Sequence, residues 1–290
     1  MKDDITIKEG WMYGGWRAPE NLWRELTTSI HDDAVAKKVG MRGGTIPGTI
    51  HLSLFAPLAL KMFGDKWFEN GSLSIYYTFA TTDREEVRAV VKMPPEGATD
   101  VQVEAKVEMR DGKVVASGTM ALGNPEELSY LQALELKNCP ENELRILAGN
   151  KPGDELKSRE ILITQEEAEK GLRAITDHLD YYKGESPWGN SILSPTAMFG
   201  AMSLGSDQLD ATRSKAVPFY GATEIKNIAG PVMVGKPYIT KGKMVCVGVS
   251  RKTEYFWMDT YLEEKDTGKK VASMRHMNRF MKAGSPLYES

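Results

Sequence analysis

The sequence predicts an α+β protein built as two similar units in tandem, and three observations carry that prediction. The chain has 290 residues, more than one small domain needs and enough for two of about 100 to 150 residues each. In each half an apolar, helix-like run precedes short runs rich in β-branched and aromatic residues. Each half also closes on a hairpin of the same chemistry, Arg110-Asp111-Gly112-Lys113 in the first and Asp266-Thr267-Gly268-Lys269 in the second. A sheet needs a cover for its face, and a second copy of the design offers one. The units are expected at 1–124 and 159–290, with 125–158 as a connector.

In the first unit, Pro47 to Phe63 (PGTIHLSLFAPLALKMF) opens at Pro-Gly and closes at Gly64, which suits a helix buried on most sides. SLSIYYTFAT, VRAVVKM, VQVEAKVEM and KVVASGTMAL follow as antiparallel strands. From Asn124 onward, NPEE, NCPENE and NKPGDELKS supply caps, turns and charges without a strand period. Thr164 and Glu167 then form a capping box ahead of an amphipathic helix. The second unit has a Gly-containing turn (SPWGNSILSP), a small-residue helix (TAMFGAMSLG) and strands at VPFYGATEI, GKMVCVGVS, YFWMDTYLEE and KKVASMRHM. The tail VASMRHMNRFMKAG alternates in the manner of an edge strand, with Arg275 and Arg279 on one face. Trp11, Tyr13, Trp16 and Trp23 read as packing that seats the N-terminal segment, ahead of the alternative of a ligand cage.

Composition removes several classes of function. Hydrophobic residues at 41% and charged residues at 27% fit a water-soluble globular chain. A formal net charge of −3 leaves no basic footprint for a phosphate backbone, so nucleic acid is not an expected partner. No run reaches the roughly 18 to 20 apolar residues that span a bilayer. The start MKDDITIKEG lacks a signal-peptide core, and a cytoplasmic location is expected. Cys139, Cys246 and the histidines at 31, 51, 178 and 276 show no metal-ligand spacing. Neither a metal nor a cofactor is expected.

Ile30-His31-Asp32-Asp33-Ala34, followed by Gly40 and Gly43-Gly44-Thr45-Ile46-Pro47-Gly48, is similar to the stretch PIHxD…A…G…I that leads into the helix of MaoC-type hotdog domains. In the second half Tyr182, Ser186-Pro187-Trp188-Gly189, Ile192 and Pro195 resemble the Y…SPxGG.IxPP entrance of MaoC-like N-terminal dehydratase domains. The resemblance covers nearly all of the chain except its first residues and the connector. It implies a double hotdog, each unit a long central helix wrapped by a curved antiparallel β-sheet, within the acyl-CoA dehydratase and thioesterase superfamily.

The family's hydratases use an Asp-x-Asn-Pro-x-His hexapeptide whose Asp and His act as general acid and base. Both halves depart from it. Before His31 the Asp place holds Leu26 and the Asn-Pro pair is Thr28-Ser29. In the second half Asp177 keeps the first place, while Asp180 replaces proline and Tyr182 replaces histidine. The resemblance nominates His31 as a general base, with Asp32 or Asp33 either orienting its ring or capping the short helix that follows. His51, one turn into the central helix, is either a site residue or a satisfied core histidine. Asp177, Asp180, Tyr182 and Glu185 form either an acid–base cluster or a solvated turn, beside the candidate substrate contacts Trp188 and Gly189. Backbone N–H groups near Gly48-Thr49 and Ser194-Thr196 are candidates to polarise a thioester carbonyl. The expected function is a hydro-lyase (dehydratase or hydratase) acting on an acyl-CoA or related activated acid. The rivals are an acyl-CoA thioesterase and a non-catalytic acyl or small-molecule binder. The expected partner is a small-molecule substrate of the CoA thioester kind, with no membrane, and with association into a dimer or larger homo-oligomer left open.

Overall fold

In the computed structural model, which describes residues 4–184, 186–203 and 215–289, the chain opens on two short paired strands, β1 (Thr6–Lys8) and β2 (Trp11–Tyr13). After the one-and-a-half turns of α1 (Asp33–Lys38), the apolar run folds as a 3-10 stretch, Gly48–Phe55, that passes directly into α2 (Ala56–Phe63). Thr49 to Ala59 are buried without a break, so no face of this segment is left for water. Gly64, at φ +62°, ends it, and α3 (Lys66–Asn70) turns the chain into the sheet. There β3 (Gly71–Tyr77), β4 (Val87–Lys92), β5 (Val101–Met109) and β6 (Val114–Leu122) follow the predicted strands within a few residues.

The second half begins with β7 (Arg159–Leu162) and α4 (Gln165–Gly171), whose capping box between Thr164 and Glu167 is formed as expected. Then come α5 (Pro195–Met202) and the long strands β8 (Pro218–Asn227), β9 (Pro237–Val249), β10 (Thr253–Glu264) and β11 (Lys270–Met281). The end of the predicted helix TAMFGAMSLG, at Leu204 and Gly205, lies outside the described residues.

The eleven strands among the described residues form one antiparallel sheet in the order β1-β2-β4-β5-β6-β3-β8-β11-β10-β9-β7. The halves are joined by β3 and β8, which pair from Ser72 opposite Lys226 to Tyr76 opposite Ala222. This order corrects the edge reading of the tail: β11 is flanked on one side by β8 and on the other by β10. Its alternation looks like an edge because the basic residues are matched within the sheet rather than by water. Arg275 makes a two-pronged pair with Asp259 at 2.8 Å, and Arg279 donates to the Tyr76 hydroxyl.

One core cluster runs through both halves and includes Leu52, Phe55 and Leu73 with Met198, Phe256 and Phe280. The central helices meet through hydroxyls: Thr196 Oγ1 is 2.7 Å from Ser53 Oγ and 2.9 Å from the Thr49 carbonyl that it donates to. Residues 125–158 hold no strand; Ser129 to Gln132 bond to β3, β6 and β8, and residues from Cys139 onward bond to β9 and β10. The backbone N–H groups of Arg145, Ile146 and Leu147 all donate to the buried Glu254 carboxylate at 2.8, 3.0 and 2.8 Å. Cys139 and Leu156 donate to the Val247 and Gly242 carbonyls.

Candidate active site

Three successive turns, with Leu26, Ser29 and Asp32 each donating to the carbonyl three residues back, carry the chain from Trp23 to α1. Asp32 caps that helix by accepting from the Val35 N–H at 2.9 Å. His31 is thereby placed against residues 44–45, and the approach is close. A Cβ on Gly44 would sit 2.4 Å from the His31 carbonyl oxygen, so glycine is required there. The contact brings the Thr45 carbonyl to 2.7 Å from His31 Nδ1.

That hydrogen bond fixes the ring's chemistry. A carbonyl oxygen only accepts, so Nδ1 carries the proton and Nε2 keeps a lone pair. No group among the described residues bonds to Nε2. Burial lowers the His31 pKa below its ordinary value, and the bond to Thr45 opposes that only in part. The ring is therefore a neutral base. Trp23 packs at its side, with ring centroids 5.9 Å apart.

His31 lies in the wall of a cavity of about 760 Å³, a volume that accepts a drug-sized ligand. His51 is in the same wall. Its Nε2 is 3.0 Å from Thr81 Oγ1, its Nδ1 is buried with no partner, and burial pushes its pKa down to about 4. Gly48 and Thr49 line the cavity at the start of the central helix. Their N–H groups make no hydrogen bond among the described residues, as expected for the first donors of a helix. Tyr77 lies flat on Gly48, where a Cβ would come within 3.0 to 3.1 Å of the ring. Its hydroxyl donates to Thr223 Oγ1 at 3.0 Å, which in turn is 2.9 Å from Nδ1 of the buried His276.

The second half completes the wall with Ser194, Thr196, Ala197 and Phe199 from the start of α5 and with Phe219 and Tyr220 from β8. Ser194 is also the helix cap, its Oγ accepting from the Ala197 N–H at 3.2 Å. No Asp, Glu, Lys or Arg among the described residues lines the cavity.

The remaining candidates lie elsewhere. Asp32 and Asp33 do not orient the His31 ring: Asp32 is occupied as a cap, and the exposed Asp33 accepts from the Gly44 N–H at 2.9 Å and from Lys37. Asp177 is buried, and Arg17 binds its Oδ1 through Nε at 2.9 Å and Nη2 at 2.7 Å. Burial pushes this carboxyl above its usual value against the pull of Arg17. The void beside the pair is only about 10 Å³, the space of a single water at most. Tyr182 is fully buried with an unpartnered hydroxyl, and burial pushes its pKa up. Trp188 stacks edge-on against Phe68 and Tyr181 and donates to Glu69, while Gly189 turns the chain at φ +93°. Asp180 sits in a single 3-10 turn, Asp180–Tyr182, and Glu185 lies outside the described residues. The structure thus brings together His31, His51, Gly48, Thr49 and Ser194, and leaves Asp177, Tyr182, Trp188 and Gly189 outside the cavity.

Sequence reasoning missed Thr45, Thr81, Tyr77 and the aromatic wall. Thr45 acts through its backbone, which no side-chain pattern reports. Of the four N-terminal aromatics, Trp11, Tyr13 and Trp16 do pack as expected, beneath Lys106, Arg88 and Arg110. Trp23 instead faces the cavity.

Among the described residues, no group of three or more His, Cys, Asp or Glu side chains is placed to hold a metal ion. No helix among them is long and apolar enough to cross a membrane.

No family model and no curated protein matches the sequence. Solved structures do match over nearly the whole chain. A Chloroflexus aurantiacus protein assigned to the MaoC domain dehydratases aligns with a TM-score of 0.62 at 11% identity, covering 95% of this chain and 96% of that one. A Mycobacterium tuberculosis protein described as a double hotdog aligns at 0.57 and 10% identity, covering 92% and 96%. A MaoC-like dehydratase aligns at 0.53 and 14% identity, covering 91% and 97%. At these identities the likeness establishes the hotdog fold.

Proposed function

We propose that the protein is a hydro-lyase that adds or removes water next to the carbonyl of an acyl thioester, with His31 as its general base. The observation that carries the reading is the Nδ1–H to Thr45 carbonyl bond, which leaves the Nε2 lone pair to a ring in the cavity wall. The dehydratase names of two solved relatives point the same way.

In the dehydration direction, Nε2 takes the proton from the carbon next to the thioester carbonyl. The electron pair moves onto the carbonyl oxygen as an enolate, which the unengaged N–H groups of Gly48 and Thr49 are suited to receive. The enolate then collapses, the carbon–oxygen bond at the neighbouring carbon breaks, and the protonated Nε2 returns its proton to the departing hydroxide to form water. One imidazole serves as acid and base in turn, which fits a cavity whose described wall offers no carboxylate. Among the described residues, that wall presents no carboxylate that could serve a thioesterase as nucleophile or base. His51 acts as a positioning residue that keeps Thr81 in place.

The test is incubation with matched enoyl-CoA, 3-hydroxyacyl-CoA and saturated acyl-CoA thioesters, with products read by mass spectrometry. The expected result is a gain or loss of one water, removed by His31→Ala in a protein that remains folded. Release of free CoA would replace the reading with thioester hydrolysis, and no change in any thioester would replace it with ligand binding alone.

A further inference from the structure

We infer that the acyl group held in this cavity is uncharged and carries a ring, an inference that rests on the acyl-thioester reading above. Two independent properties of the wall lead to it. The first is electrostatic. A carboxylate or ammonium on the acyl group would leave water without meeting a countercharge, because no ionised side chain among the described residues lines the cavity. Three titratable groups in the wall, His31, His51 and Tyr77, are held toward their neutral forms as well. Burial holds His31 below its ordinary value and His51 at about 4, and it pushes Tyr77 up.

The second property is shape. Six aromatic side chains, Trp23, Tyr77, Phe79, Phe199, Phe219 and Tyr220, are set around the space, contributed by both halves. Phe199 and Tyr220 already meet edge to face, with centroids 5.0 Å apart, so their faces and edges are fixed in advance for a further ring. Several of the polar groups between them are committed to the protein. Thr196 Oγ1 is bonded to the Thr49 carbonyl, Ser194 Oγ to its helix, and Thr81 Oγ1 to His51. What remains presented to a ligand is largely apolar and aromatic.

The experiment compares three saturated thioesters that differ only in the acyl group and carry neither a double bond to hydrate nor a hydroxyl to eliminate: 3-phenylpropionyl-CoA, octanoyl-CoA and succinyl-CoA. Calorimetric titration of the wild-type protein should give the phenyl compound at least about tenfold tighter binding than the succinyl compound, and several-fold tighter than the linear one. Succinyl-CoA bound as well as the phenyl compound would overturn the charge argument, and octanoyl-CoA bound as well would overturn the ring. Phe219→Lys, at a half-buried wall position, should reverse the disadvantage of the succinyl group, and an unaltered order in the folded variant would place the acyl group elsewhere. Repeating the comparison with the free amides of the same three acids separates the two readings. The same order among amides with no thioester binding leaves the cavity inference standing and removes the thioester; no order in either series removes the inference.

Discussion

Burial holds His31 below the ordinary histidine pKa, so its base form is present across most of the neutral range. If His31 is the base, kcat/KM should rise with pH through one inflection below 6.5 and then stay flat toward alkaline pH. A profile that fell over the same range would require His31 to act from its protonated form. His51 makes a different prediction, about stability. Folded, it titrates near 4; unfolded, near 6.5. Between those values the unfolded chain binds a proton that the folded one refuses. Stability should therefore be full above the unfolded value and decline by about 3 kcal/mol as pH falls from 6.5 to 4. Urea unfolding of wild type and His51→Gln at pH 7 and pH 4.5 checks this: the variant should lose less on acidification. The sequence showed His31 and His51 because their types are rare in such segments. It could not show that a threonine carbonyl, rather than Asp32 or Asp33, orients the His31 ring, since every residue has a carbonyl and only the fold selects one.

At the scale of elements, Glu254 on β10 is one of the points that fasten residues 125–158 to the sheet. Burial alone would raise its pKa, but the Tyr288 hydroxyl and three backbone N–H groups bring it below the ordinary value. Glu254→Gln replaces one accepting oxygen by a donor facing donors and should cost about 2 kcal/mol, read as a lower urea midpoint with unchanged slope. The stability that the carboxylate contributes is present above its unfolded pKa and is lost as pH falls through the folded one. The long strands β3 to β6 and β8 to β11 were legible because alternation over six or more residues is a strong signal. β1, β2, α3 and β7, three to five residues each, were not, because so few positions establish no period. Arg275 and Arg279 misled for a physical reason: in sequence a charge reads as solvated, and its partners Asp259 and Tyr76 lie on other strands.

Across the whole molecule, Arg17 ties the N-terminal segment to the second half by bridging Asp4 and Asp177. Arg17→Met leaves the buried Asp177 without its countercharge and should destabilise the fold by about 3 to 5 kcal/mol. Because neither residue lines the large cavity, turnover per folded molecule should be unchanged, which activity measured well below the melting temperature can establish. The sheet order has a consequence for behaviour at high concentration. An eleven-stranded sheet ends in two rows of unpaired backbone groups, and here those rows belong to β1 and β7, three and four residues long. A neighbouring molecule seeking to extend the sheet finds a template too short to register on, flanked by Lys8 and Glu9 at one end and by Arg159 and Glu160 at the other. Concentrated solutions should resist fibril formation for that reason.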